Sequence, residues 1–144
     1  MKTAAAFASV LALVGTAAAL ESRQDASYPD CEPTTGAFYA PETLTVGEAF
    51  PVRLCSSTYF KTSSKTITLA ISRDDTNVSG AVILADDLTS KDNKKYDFEA
   101  TVPQSEVKFD NHTKLIVVEK INDYYVSSSF QLYYADVDVV YPNA

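Results

Sequence analysis

The chain has 144 residues, of which 46% are hydrophobic and 22% charged, with two cysteines, one histidine and no tryptophan. This length suits one domain, and the composition excludes collagen-like, low-complexity and coiled-coil proteins. The net charge of −7 disfavours nucleic-acid binding, because an acidic surface repels phosphate backbones. With a single histidine, most metal sites and nucleophile–base pairs are hard to build, so the composition points away from an enzyme.

The N-terminus has the pattern of a secretory signal peptide. Lys2 precedes an uncharged apolar run, Ala4–Val14, and Ala17–Ala19 supplies the small residues of a cleavage site. The run is shorter than the roughly 20 residues that a membrane-spanning helix needs. We expect a signal peptide over residues 1–19, an N-terminal arm over 20–35 and one domain over 36–144, secreted and without a membrane anchor. The alternative is an uncleaved N-terminal anchor.

The mature chain alternates apolar and polar residues with a period of two, and no stretch has a convincing helical period. Polar turns separate the alternating runs at spacings of roughly ten to fifteen residues, which is typical of an antiparallel β-sandwich. We therefore predict an all-β, immunoglobulin- or fibronectin-III-like Greek key. Its predicted strands are Gly36–Leu44 at an edge, Phe50–Cys55, Thr66–Ser72, Gly80–Ala85, Tyr96–Val102, Leu115–Val118 at the centre, and Phe130–Tyr141.

The last strand changes its pattern midway. Its apolar residues are at even positions up to Tyr134 and at odd positions from Val137 onward. Because each face of a strand carries every second residue, this change predicts a β-bulge near Ala135–Asp136. Two separate short strands are the alternative.

Two further patterns agree with an extracellular protein. Cys31 and Cys55 are the only cysteines, and an even count in a secreted chain predicts that they form a disulfide with each other. Asn77 and Asn111 begin N-x-Ser/Thr sequons among polar turn residues, so both are candidate N-glycosylation sites. His112 lies inside the second sequon, and we interpret it as an exposed loop residue.

No motif for catalysis or cofactor binding is present. Carboxylates are the only abundant candidates, and a glycosidase would need two of them facing one cleft. The acidic pairs instead occupy turns or outward positions, so we interpret them as solvated surface charges and expect no catalytic residue, metal or cofactor. A calcium site built by two converging turns is the alternative for Asp74–Asp75 and Asp86–Asp87. The pairs are Asp74–Asp75, Asp86–Asp87, Asp97/Glu99 and Asp136/Asp138.

Two adjacent aromatic pairs stand beside polar turn residues: Tyr59–Phe60 and Tyr124–Tyr125. In a strand, one member of an adjacent pair must face outward, where it can either cover a sheet edge or bind a partner. Exposed tyrosine is favoured in protein interfaces, so these four residues are the candidate partner-binding residues. Carbohydrate binding is a third interpretation. We expect the protein to be monomeric.

Several segments resemble a known family. Ala40–Val52 reads A-P-E-T-L-T-V-G-E-A-F-P-V, Tyr59 precedes the strand Ile67–Ile71, Tyr96–Pro103 ends in T-V-P, and Phe130–Val139 closes with L-Y-Y-A-D-V-D-V. Together they are similar to fungal necrosis-inducing secreted effector proteins over residues 38–140. The resemblance implies a protein without enzymatic activity that triggers host cell death or interferes with plant receptor-like kinases. A cell-wall or carbohydrate-binding module, with a polysaccharide as partner, is the alternative function, and a small glycoside hydrolase is a third.

Overall fold

The computed structural model describes residues 28–72, 79–90, 94–104, 109 and 113–142. These residues form eight strands and no helix, so none of them belongs to a helix that could cross a membrane. The strands are β1 (Ala37–Tyr39), β2 (Thr43–Thr45), β3 (Ala49–Cys55), β4 (Thr62–Ile71), β5 (Val82–Leu88), β6 (Lys95–Thr101), β7 (Thr113–Asp123) and β8 (Ser127–Val140).

The strands form two sheets, which makes the protein an all-β sandwich. The smaller sheet has the order β1-β3-β6, and the larger has the order β2-β8-β7-β4-β5. Neighbouring strands are antiparallel except β2 and β8, which run parallel through Thr43–Thr45 and Asp138–Val140. The prediction of a purely antiparallel sandwich is therefore wrong for this one pair.

The hydrophobic core lies between the two sheets. The alternation in β4 correctly predicts its inward face, because Ile67, Leu69 and Ile71 are fully buried. β7 is the central strand of the larger sheet, as predicted, and it lies between β4 and β8. Further core residues come from both sheets and include Leu44, Val52, Leu54, Tyr96, Val102, Leu115, Val117, Val137 and Val139.

The segment predicted as one edge strand, Gly36–Leu44, is two short strands in different sheets. β1 pairs with β3 in the smaller sheet, whereas β2 pairs with β8 in the larger one. Pro41 lies between them, where it has no amide hydrogen to donate to a continuous ladder. The chain therefore changes sheets at this proline.

The β-bulge predicted near Ala135–Asp136 is absent. The register of β7 and β8 runs without a shift from Thr113 opposite Val137 to Asp123 opposite Ser127. The apolar residues at even positions in β8 face solvent, and the partly or fully buried positions are the odd ones from Tyr133 to Val139. The prediction failed because it assumed that all the apolar residues of the strand face the core.

β5 is longer than predicted and includes Asp86 and Asp87. The ladder with β4 shifts register between the Leu69–Ala85 pair and the Ile67–Leu88 pair. Asp87 has a φ of 54° at this irregularity. An aspartate tolerates this left-handed conformation better than most residues, so the strand continues through an acidic pair that the sequence suggested as its end.

The predicted disulfide is confirmed. Cys31 and Cys55 are bonded, with 5.4 Å between their Cα atoms, and the bond joins the N-terminal segment to the end of β3. The Arg53 guanidinium donates to the backbone carbonyls of Tyr28 and Pro29 at 3.1 and 2.9 Å. The described part of the predicted arm is thus held against the smaller sheet.

Some predictions fall on residues outside the described ranges. These are the signal peptide, both candidate glycosylation sites, the histidine and the first acidic pair, namely residues 1–19, Asn77, Asn111, His112 and Asp74–Asp75.

Candidate binding site

The two aromatic pairs singled out in the sequence lie at the same end of the sandwich. Tyr59 and Phe60 are in the connection from β3 to β4, and Tyr124 and Tyr125 form the tight turn between β7 and β8. The two connections meet because β4 and β7 are paired, with Thr62 opposite Asp123. Sheet pairing therefore brings together residues that are about 65 positions apart in the chain.

The β3–β4 connection is held by a network of hydrogen bonds. The Tyr59 amide donates to Thr62 Oγ1 at 3.0 Å, and the Thr62 amide donates to the Tyr59 carbonyl at 2.8 Å. Lys94, in the connection from β5 to β6, donates from Nζ to the carbonyls of Ser56 and Thr58 at 3.0 and 3.3 Å. These contacts fix the loop backbone that carries the first aromatic pair.

The β7–β8 turn is fixed in the same way. The Tyr124 amide donates to the Lys61 carbonyl at 3.1 Å, which extends the sheet into the turn. The Tyr125 amide donates to Asp123 Oδ1 at 2.9 Å, and Ser127 completes the turn with a φ of 72°. The two tyrosines are therefore presented by a short, hydrogen-bonded turn of a hairpin, where a side chain can bind without ordering a long loop.

Lys61 connects the two aromatic pairs. Its ammonium nitrogen lies 5.5 Å from the ring centre of Phe60, 5.8 Å from that of Tyr124 and 4.9 Å from that of Tyr125. It also donates a hydrogen bond to the Tyr125 hydroxyl. The Phe60 and Tyr124 rings lie within the distance at which a cation is attracted to an aromatic face, whereas Tyr125 is contacted at its hydroxyl edge. We call Phe60, Lys61, Tyr124 and Tyr125 the Lys61 cluster, and Tyr59 flanks it.

The rings of the cluster face solvent. Phe60 is 89% exposed, Tyr124 78% and Tyr125 64%, whereas the flanking Tyr59 is 46% exposed. Such exposure is incompatible with a core role. A shallow, open depression lies beside the cluster and is lined by Phe60, Lys61, Asp123 and Tyr124, among others. Its polar residues offer hydrogen-bond partners beside the apolar rings.

The acidic pairs within the described ranges are surface charges, as interpreted from the sequence. Asp97 forms a bidentate ion pair with Arg53 at 2.7 and 3.1 Å, and Asp136 pairs with Lys114 at 2.8 Å. Asp86 accepts a hydrogen bond from Thr68 Oγ1 at 2.7 Å. No group of three or more potential metal ligands occurs among the described residues.

Sequence reasoning missed two features of the structure. Lys61 was not singled out, although its position next to an aromatic pair was a usable signal. Glu119 was missed as well: it lies fully buried in β7 and accepts a hydrogen bond from the Tyr133 hydroxyl at 3.0 Å. Burial, and then the charge of Glu119, raises the pKa of Tyr133 to about 12. Because Glu119 is inaccessible to any substrate, we interpret this pair as structural.

Comparisons with known proteins add little to this description. No protein-family model matches the chain, and no curated protein sequence matches it. Among solved structures, superoxide reductase (neelaredoxin) from Ignicoccus hospitalis is 15% identical, with a TM-score of 0.48, over 74% of this chain and 80% of its own. Murine CRIg is 6% identical, with a TM-score of 0.45, over 74% of this chain and 98% of its own. At these scores, neither likeness bears on function.

Proposed function

We propose that this protein is a secreted binding protein without enzymatic activity and that the Lys61 cluster is its binding site. The proposed partner is a host protein, a plant receptor-like kinase among the candidates, in keeping with the sequence resemblance to fungal necrosis-inducing effectors. The single observation that carries the binding proposal is the convergence of three exposed rings on one lysine at one end of the sandwich.

We also propose that the connections follow an immunoglobulin-like Greek key. The chain changes sheets at β1–β2, β2–β3, β3–β4, β5–β6 and β6–β7. The directions and registers of the strands bring the connections β3–β4, β5–β6 and β7–β8 to the end that carries the Lys61 cluster. In immunoglobulin variable domains, the loops at one end of the sandwich bind the antigen. The topology thus supports a binding role for the same end here.

The chemistry of the cluster suits a protein surface. Tyrosine and phenylalanine provide large apolar areas with few rotatable bonds, and exposed aromatic rings of this kind carry much of the energy of protein interfaces. Lys61 adds a positive charge in a chain whose net charge is −7. A partner with an acidic side chain bordered by apolar residues would fit both the charge and the rings.

Carbohydrate binding is the second candidate, and the ring geometry argues against it. Sugar-binding modules would need a coplanar row of exposed rings. The Tyr124 and Tyr125 rings instead make an angle of 84°, and the Tyr59 and Phe60 rings one of 79°. Neither adjacent pair forms a flat platform. Retention of the protein on insoluble chitin or β-glucan would favour this second function.

The test uses purified wild-type protein and a Tyr124→Ala/Tyr125→Ala variant. Infiltration into leaves, scored for cell death and reactive-oxygen bursts, should show a response to wild type that the variant loses. Binding to receptor ectodomains should weaken by at least ~2 kcal/mol, the scale of an interface hot spot. Ile83→Ala, which changes an exposed apolar residue of β5, is the matched control and should behave as wild type.

Two results would contradict the assignment. Full activity of the double variant with a normal fold would remove the binding role of the two tyrosines. A large fall in its melting temperature would show that the tyrosines stabilise the fold, contrary to their exposure.

A further inference from the structure

One edge of the larger sheet is left open over most of its length. β8 pairs with β7 along Ser127–Val137, but on its other side it pairs with β2 only through Asp138–Val140. No described strand covers that side of residues 127–137. An uncovered strand edge presents unpaired N–H and C=O groups that can pair with another chain.

The backbone groups at even positions of β8 point toward this open edge. Where β2 is present, the Asp138 amide donates to the Glu42 carbonyl at 2.8 Å, and the Val140 carbonyl accepts from the Val46 amide at 2.9 Å. Backbone direction alternates along a strand, and β8 has no register shift, so Phe130, Leu132 and Tyr134 direct their backbone groups the same way. Their side chains are exposed as well, at 68%, 39% and 51%.

The other sheet edges carry features that discourage pairing, and segment 127–135 of β8 lacks them. β5 has the irregularity at Asp86–Asp87, β6 carries charged side chains at Lys95, Asp97 and Glu99, and β1 is only three residues long. Segment 127–135, by contrast, contains no charged residue and no proline. Natural sheets use charges, prolines, bulges and short strands to block edge pairing, so this edge is available to a partner strand.

We propose that a second copy of this chain occupies the edge, by antiparallel pairing of β8 with β8 across a two-fold axis at Leu132. The sequence around Leu132 is self-complementary in this register. Phe130 of each copy faces Tyr134 of the other, which gives two aromatic cross-strand pairs on the solvent side. Asp136, the acidic residue directly after segment 127–135, would lie opposite Ser128 rather than its own copy, so no like charges are opposed.

The resulting dimer joins two five-stranded sheets into one continuous sheet. Its interface is isologous, as a two-fold axis requires, and the pairs Leu132–Leu132 and Phe130–Tyr134 each exchange two N–H···O bonds. The Ser128 amide already donates to the Val126 carbonyl at 2.8 Å, so full pairing ends before Ser128. The Lys61 cluster, which lies at the turn beyond Ser127, stays outside the paired segment. This proposal does not rest on the binding function, and it departs from the monomer expected from the sequence.

Sedimentation analysis of the purified protein over a wide concentration range tests the dimer. Wild type should reach twice the mass of one chain, and Leu132→Lys should remain monomeric because it opposes two ammonium groups at the axis. Ile83→Lys, on the same solvent face but on β5, should still dimerise. Edge pairing would be overturned by a monomeric wild type or by a dimeric Leu132→Lys variant. A monomeric Ile83→Lys variant would also overturn it, because it would indicate contact between the faces of two sheets.

Cysteine trapping tests the register of the two β8 strands, and its result does not depend on whether the Leu132→Lys variant folds. In an antiparallel ladder, the two residues of a hydrogen-bonded pair have Cα atoms about 5.5 Å apart, within the range that a disulfide can bridge. Leu132→Cys should form a covalent dimer on mild oxidation, since both native cysteines are already bonded to each other. Phe130→Cys should not, because it faces Tyr134 of the other copy. The reverse result would refute the proposed axis.

Discussion

Removing the hydroxyl of Tyr133 should destabilise the protein by more than its small size suggests. Tyr133 Oη donates to Glu119 Oε1 at 3.0 Å, and Glu119 is fully buried. Glu119 Oε2 has no hydrogen-bond partner among the described residues. In Tyr133→Phe, both oxygens of a buried carboxyl group would lack a donor. Hydrogen bonds to charged groups contribute about 1.5–3 kcal/mol, and a buried group left unpaired has a similar cost, so we expect a loss of about 2 kcal/mol.

A double-mutant cycle isolates this interaction. Glu119→Leu removes both carboxyl oxygens and keeps a side chain of similar size, and replacing a poorly paired buried polar group by an apolar one costs little. In that background Tyr133→Phe should cost less than about 1 kcal/mol, since no carboxyl group is left without a donor. The difference is the coupling energy between the two side chains.

Urea unfolding followed by circular dichroism gives the four free energies of unfolding. The single Tyr133→Phe change should lower the midpoint without changing the slope, as expected for a loss of stability in a two-state protein. A free energy within about 0.5 kcal/mol of wild type would refute the argument, because surface substitutions commonly fall in that range. Equal costs in both backgrounds would show that Glu119 is not the partner that matters.

Two further predictions concern stability. Replacing Cys31 and Cys55 by serine should lower the free energy of unfolding by about 3 kcal/mol and leave the sandwich intact, because the disulfide closes a loop with a sequence separation of 24. Intact-mass analysis that shows two free thiols in the secreted protein would contradict the presence of this disulfide. Tyr133 should also make stability depend on alkaline pH, because its pKa is about 12 in the folded protein and about 10 in the unfolded chain. The unfolded chain loses this proton first, so the contribution is complete below pH 10 and is lost as the pH rises to 12. Thermal melts should show that decline in wild type and a smaller one in Tyr133→Phe.

The period-two pattern of the sequence was sufficient to predict much of the fold. In β4 it correctly identified Ile67, Leu69 and Ile71 as core residues, because alternating apolar residues on one strand must be buried together. The cysteine count was sufficient to predict the disulfide. The polar neighbours of Tyr124 and Tyr125 correctly predicted that this pair lies between two strands. These inferences succeeded because each depends on residues close together in the chain or on a pairing with one possible solution.

Tertiary structure decided the features that depend on which strands become neighbours. Alternation in β8 shows which residues share a face, but only the packing against β7 and the smaller sheet puts the even residues outside. Likewise, the division of the first predicted strand between two sheets depends on pairing with β3 and β8, which are distant in sequence. Lys61 joins the aromatic site only because β4 lies beside β7. Non-local pairing of this kind leaves no local pattern, so it appears only once the chain is folded.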